Sequence, residues 1–326
     1  MRRREFIAGV GSAAAWPVLA RAQQPQVRRI GVLLNGTAVE SASQAELAAF
    51  VQGLRQLGWI DGQNVRMEVR WSGPNPTLGR IYAAQLIGLM PDVILVAATR
   101  NLKAVREATS IVPVVFVRVS DPVVQRFIAD LRRPGGNITG FSSHEFSIGG
   151  KLLGLLKEIA PGLSRVAVMF NPDSLLPKFF LSPMEAVAPS LRVHVIAVPV
   201  RSTADIESAL AGFSQQPNGA LALLPLGLVQ QRLIADLATR YRLPSIGSAR
   251  FASDGGLMDY GVSRDYVGQF GQAAGYVDSI FKGTKPADLP VQTPTRYRFV
   301  INTKTAKALG LIIPETLLAT ADEVIQ

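Results

Sequence analysis

The sequence predicts an α/β protein of two Rossmann-like lobes, each built on a parallel sheet. Three observations point there. Short apolar runs rich in Val and Ile alternate with amphipathic stretches of about 10 to 15 residues, the signature of βα units. The alternation is interrupted by a strong turn signal, Pro134-Gly135-Gly136-Asn137, and then resumes. At 326 residues, with 48% hydrophobic and 18% charged positions, the chain is long enough for two ordinary domains and has apolar material for both cores.

The first 22 residues read as a processing signal rather than as part of the fold. A basic head is followed by an apolar stretch from Phe6 to Leu19 and by Ala20-Arg21-Ala22, with small residues where a signal peptidase reads. Cleavage is expected near Ala22. Arg3-Arg4-Glu5-Phe6-Ile7 resembles the twin-arginine export signal, although Arg2 stands where Ser or Thr is usual. Pro17 argues against a continuous helical arm, and the stretch is too short to span a bilayer. No later apolar run approaches 18 residues, and there is no cysteine to carry a lipid, so the mature protein is expected free in a periplasm.

The strand candidates of the first half are Arg28 to Leu34, Val65 to Trp71, Val93 to Ala97 and Val112 to Val117. After the first, Ala45, Leu47, Phe50, Val51, Leu54 and Leu57 recur at helical spacing and end at Gly58, a C-terminal cap residue. Further helices are expected over 77–89, 101–109 and 122–131. The second half offers a helix over 149–159 and strands over 165–170, 193–199, 219–225 and 244–248. Beyond Gly255-Gly256, Leu257 to Gly261, a helix over 264–283 and a strand over 296–301 break the simple alternation. They read as segments that cross between lobes.

Composition excludes much chemistry. With no cysteine, disulfides, thiolate nucleophiles, zinc–thiolate sites and iron–sulfur clusters are impossible. Two histidines, His144 and His194, leave little for a metal site or a histidine relay. His144 follows Ser142-Ser143 and reads as a loop residue or a ligand contact, whereas His194 on a strand reads as surface or satisfied core. Phosphate-binding, dinucleotide-binding, zinc-protease and nucleophile-elbow motifs are absent; Leu34-Asn35-Gly36-Thr37 has one glycine where a dinucleotide fold needs three. Asn137-Ile138-Thr139 matches a glycosylation acceptor but reads as turn chemistry. The net charge is +10, of which Arg2, Arg3, Arg4 and Arg21 less Glu5 supply +3, leaving +7 from Gln23 onward without a basic run. No nucleic-acid partner, metal or cofactor is expected.

Ligands of open parallel sheets bind beyond the carboxyl ends of the strands, where loops and helix N-termini converge. The residues just after each strand are therefore the candidates: Asn35, Trp71, Thr99, Arg100, Ser120, Asp121, Asn171, Leu226 and Ser248.

Several segments carry a family likeness: Ile111-Val112-Pro113-Val114-Val115-Phe116, Ser120-Asp121-Pro122-Val123 and Arg133 through Phe141. Gly255-Gly256-Leu257-Met258-Asp259-Tyr260-Gly261 and Lys285-Pro286-Ala287-Asp288-Leu289-Pro290-Val291-Gln292 continue it. Along nearly its whole length the chain resembles periplasmic solute-binding proteins of ABC importers, in the branch whose characterised members bind tryptophan and related amino acids. The resemblance implies a type I periplasmic-binding fold: two lobes joined by three crossovers, near Gly140, near Leu257 to Gly261 and near Pro294 to Arg298. The lobes would be 27–140 with 262–293, and 141–261 with 294–326. A monomer would close on a small organic solute, an amino acid or carboxylate, and deliver it to an inner-membrane permease without catalysis. A sensor subunit on the same fold is the competing reading, and an enzyme built on Asp121, His144 and Asp259 a third.

The expected ligand set is Asn35, Thr99, Arg100, Ser120, Asp121, Ser142, Asn171 and Tyr260. Thr99 and Ser120 suit a carboxylate. Asp121 suits an ammonium group or, before Pro122, an N-cap. The chain departs from its relatives at Arg100, where they have proline, and at Asp259, where they have serine. It also has Gly247 where an aromatic residue is common, which removes a stacking wall. Arg100 reads either as a guanidinium for a second carboxylate or as a solvated helix-start residue.

Overall fold

The computed structural model describes residues 27–73, 75–174, 176–224, 230–248, 250–262 and 266–326. The expected export segment and Leu226 lie outside them. Five strands, β1 (Arg28–Leu34), β2 (Val65–Trp71), β3 (Val93–Ala97), β4 (Val114–Ser120) and β5 (Ile138–His144), form an all-parallel sheet in the order β2-β1-β3-β4-β5. Helices α1 (Ser41–Gln56), α2 (Pro76–Gly88) and α3 (Thr99–Ala108) connect the first four.

The Val/Ile runs are continuous because both faces of this sheet are covered. Ile30, Val32 and Leu34 point into one buried cluster with Phe50 of α1 and with Phe270 and Ala274 of α8 (Tyr266–Phe281). Leu33, Ile94, Val96 and Phe116 point to the other, with Leu86 of α2 and Leu102 of α3. Each fully buried side chain of this size contributes roughly 1.5–3 kcal/mol. Helices α1 and α8 cross closely because Gly53 faces Ala274 and the Gly271 carbonyl, where an added Cβ would lie 2.8 Å from each.

The second sheet has the order β12-β11-β10-β9-β8-β6-β7, from β6 (Arg165–Phe170), β7 (His194–Pro199), β8 (Gly219–Leu223), β9 (Ser245–Gly247), β10 (Met258–Val262), β11 (Tyr297–Asn302) and β12 (Glu323–Ile325). It is not purely parallel: β11 runs antiparallel to β10, with Tyr260 opposite Phe299. One face is covered by α4 (Ile148–Ile159), α5 (Pro177–Leu191), α9 (Thr303–Leu309) and α10 (Glu315–Thr320), the other by α6 (Thr203–Phe213) and α7 (Gln231–Arg240).

The helix expected over 122–131 does not form. Arg126 has a left-handed backbone (φ 58°), the amides of Phe127 and Ile128 return to the Pro122 carbonyl, and the Ala129 amide reaches Pro134. Four apolar residues of this stretch nevertheless face inward: Ile128 sits in the core and Val123, Phe127 and Leu131 pack against it, while Val124 is exposed. Conversely, α5 runs through Pro183 and Pro189, and so was not legible as one helix.

Three passages join the sheets. The first leaves after His144, four residues past Gly140, because β5 stays paired with β4 to that point. The second lies between Val262 and Tyr266. The third lies between Gln292, bridged to Phe141, and Tyr297. The first two leave from carboxyl ends of strands, and the third enters beside Val262, the carboxyl end of β10. The carboxyl edges of the two sheets are therefore the edges the passages connect.

The free sheet edges differ. Strand β2 carries Arg66, Glu68 and Arg70 in alternation, with Glu68 paired to both arginines at 3.6 Å. Strand β5 is covered by the segment ending at Gln292, whose amide donates to the Gly140 carbonyl (3.0 Å) and whose carbonyl accepts from Ser142 (2.8 Å). Strand β12 has three residues, and β7 ends in Pro199 with Ile196 39% exposed.

Candidate functional site

On the first lobe the carboxyl ends of β3, β4 and β5 bring four sequence candidates together. Thr99 is the first residue of α3, and its Oγ1 accepts from the Ser120 amide (3.3 Å). An oxygen used as acceptor leaves its hydroxyl proton to point elsewhere. Ser120 Oγ lies 3.4 Å from Ser143 Oγ, both buried, with Ser142 buried beside them. Asp121 Oδ1 accepts from the Val124 amide (3.2 Å) and Oδ2 from the Phe146 amide (3.3 Å). Asp121 thus caps a turn and not a helix, and ties β4 to the first passage.

Backbone strain gathers at the same edge. Ala98 (φ 73°, ψ 148°), Arg118 (φ 58°) and Asp121 (φ 33°) all hold conformations that residues with a Cβ avoid. Ala98 gives α3 no side-chain cap, and the first turn of that helix contains no acid. The amide end of α3 and the hydroxyls of Thr99 and Ser120 lie together in a region suited to an anion. Arg100 is exposed at the second position of this helix.

The other candidates are dispersed. Asn35 is half-buried after β1. Trp71 ends β2, next to Ser72, whose hydroxyl donates to the Leu34 carbonyl (3.1 Å). Asn171, after β6, uses its Oδ1 to accept from the Asp173 amide (2.9 Å). Ser248 is buried after β9. Tyr260 is half-buried in β10 and stacks on Tyr297 at 5.7 Å. Burial raises the phenol pKa of both, that of Tyr260 further through Asp322 and that of Tyr297 through Glu145.

Tyr297, outside the expected ligand set, stands at the start of β11 directly after the third passage. Its position beside a predicted crossover was the available signal. Also missed was a stack of Phe146, at the first passage, on Phe179 of α5 at 5.0 Å. The aromatic ring beside Gly247 is that of Phe251, which is fully buried. Its ring occupies the space where Gly247 and Gly256 lack a Cβ.

Asp259 is buried, and its Oδ2 accepts from the Ala252 amide (3.1 Å). Burial raises its pKa, and the Ala252 and Arg250 amides and Arg298 oppose the rise. It holds the turn after β9, so its departure from serine has a structural role. A carboxyl group whose pKa is raised by folding contributes stability that is present at low pH and declines as pH rises through that window. Asp259→Asn removes the titration. The melting temperature of the variant relative to the parent is therefore expected to improve as pH rises from about 4 toward 7. A difference independent of pH would show that Asp259 does not titrate abnormally.

Among the described residues, no group of three or more His, Cys, Asp or Glu stands close enough to hold a metal, and no helix is long and apolar enough to cross a membrane.

A family model described as "ABC transporter substrate binding protein" matches residues 38–325, and the chain belongs to that family. It is 23% identical over 266 residues to a tyrosine-binding protein of Clostridioides difficile, covering 80% of this chain and 75% of that one. Among solved structures it is similar to a conserved domain protein of Vibrio cholerae, with 27% identity, a TM-score of 0.75, and 92% and 100% of the two chains covered. It is likewise similar to an ABC domain of Streptococcus pneumonia in complex with L-Trp, with 25% identity, a TM-score of 0.74 and coverage of 91% and 99%. The fold is that of the type I periplasmic-binding proteins.

Proposed function

Starting from that membership, we propose that the chain is the exported receptor of an ABC importer, capturing an aromatic α-amino acid between its lobes and handing it unchanged to a membrane permease. The observation that carries the ligand class is the convergence of Thr99, Ser120 and Ser143 on the uncapped start of α3. Such a site supplies hydroxyl and backbone donors to a carboxylate without a charged partner. Asp121 accepts two amides and keeps lone pairs for an ammonium group. The rings of Tyr260 and Tyr297 on the second lobe suit an aromatic side chain, in keeping with the tyrosine- and tryptophan-binding relatives. Asn35, Ser142 and Asn171 complete the set. Arg100, exposed at the second position of α3, is the remaining member of the expected set on this lobe. Closure would follow from a ligand that contacts both lobes and so binds the closed state better.

Thermal unfolding of the chain from Gln23 onward tests this, with L-tryptophan, L-tyrosine, L-glutamate and L-leucine in separate samples. Ligand at 100 times its dissociation constant adds about 2.7 kcal/mol, which raises the midpoint by roughly 5–10 °C. A shift with the aromatic amino acids, which are recovered unaltered, is expected. No shift with any amino acid would overturn the assignment.

A further inference from the structure

We propose that Gln269 and Arg118 are positioning residues, which together hold the irregular pairing of β4 with β5 that aims Ser120, Ser142 and Ser143 at the ligand. This rests on the functional reading above and extends it to two residues outside the strand-end set. Val114, Val115 and Phe116 pair in register with Ile138, Thr139 and Gly140; then Val119 stands opposite Ser142, and Ser120 opposite His144. Strand β4 therefore holds one extra residue between Phe116 and Val119, and β5 holds one extra, Ser143. Because side chains alternate across a strand, each extra residue sends those after it to the other face. Without the two bulges, Ser120 and Ser143 would not meet.

The bulge in β4 coincides with the left-handed backbone of Arg118. Its amide, turned out of the ladder, donates to Gln269 Oε1 (3.3 Å), and Gln269 Nε2 donates to the Ser142 carbonyl (3.1 Å). One side chain of α8 thus clamps both strands at the level of both bulges. The Arg118 guanidinium donates from Nη1 to the two carboxylate oxygens of Glu46 on α1 (2.8 and 3.0 Å) and lies 4.4 Å from the ring centre of Tyr266. Glu46 is buried, so this pair is held in place by two helices, and the disfavoured conformation of Arg118 is held with it.

Gln269→Met keeps length and bulk while removing both hydrogen bonds; Gln269→Glu keeps only the acceptor for the Arg118 amide. Ile234→Val, in the buried core of the second lobe, is the stability control. Titration calorimetry with L-tryptophan and L-tyrosine is paired with amide hydrogen exchange over 114–121 and 138–144 in the ligand-free chains. Gln269→Met is expected to weaken the amino acid that the parent binds by about tenfold and to speed exchange in both segments, with a smaller loss for Gln269→Glu. Ile234→Val should lower the melting temperature and leave affinity unchanged. Faster exchange with unchanged affinity would make Gln269 merely structural and overturn the proposal. If the parent binds neither amino acid, the functional reading fails, and the exchange data decide alone: unchanged rates over 138–144 sink the clamp. Should Gln269→Met not fold, Gln269→Glu carries the same readouts.

Discussion

Gly140→Ala is expected to destabilise the chain by about 3 kcal/mol, lowering its thermal midpoint by roughly 6–12 °C. Gly140 has φ 149°, and a Cβ there would overlap the Phe116 carbonyl oxygen, with the carbonyl carbon at 2.8 Å and the amide nitrogen at 2.5 Å. All of these are main-chain atoms of the neighbouring strand, so no side chain can move aside. Relief requires β5 to separate from β4, which loosens the strand carrying Ser142 and the ladder to Gln292. Gly154→Ala is the contrasting substitution. Its added carbon meets nothing within 4 Å inside α4, and it should gain up to about 1 kcal/mol. Two equal midpoints would show that the close approach of β4 and β5 is not a constraint.

Thr99→Val should weaken amino-acid binding by roughly 10- to 100-fold while the fold persists. The substitution preserves shape and removes one hydroxyl, which at present accepts from the Ser120 amide. A hydrogen bond to a charged group contributes about 1.5–3 kcal/mol, and its loss in a desolvated cleft is felt in full. Calorimetric titration of both proteins with L-tryptophan measures the difference. An unchanged dissociation constant would remove Thr99 from the carboxylate site and leave it as a partner of Ser120 alone.

Strands β1, β3 and β6 were legible to the residue, because a sheet covered on both faces calls for long apolar runs, and the edge strand β2 was legible from the alternation of Val65, Met67 and Val69 with Arg66, Glu68 and Arg70. Helical spacing was less dependable. Val123, Phe127, Ile128 and Leu131 pack inward from a chain of turns, so their periodicity reported which side faces the core and not how the backbone winds. The grouping of Thr99, Ser120 and Asp121 at one sheet edge was legible, because it depends on strand ends alone. The site was illegible where it depends on register. The extra residues at Arg118 and Ser143 exist only as a mismatch between two strands, and Gln269 reaches them from 127 residues beyond Ser142 in the chain. Tyr297 and Phe146 were likewise hidden, since each gains its ring partner only when distant segments meet.

The four free sheet edges bear on self-association. An unpaired strand presents a row of amides and carbonyls to any passing chain, and proteins blunt such rows with charge, cover or brevity. Strand β2 uses alternating charge, β5 a covering segment, and β12 its three-residue length. Among the described residues, strand β7 has none of these over Val195 to Val198; it has only the terminal Pro199 and presents Ile196 outward. Aggregation of concentrated or partly unfolded protein would therefore nucleate on the second lobe at β7, on the outer margin of that sheet and away from the carboxyl ends that the passages connect.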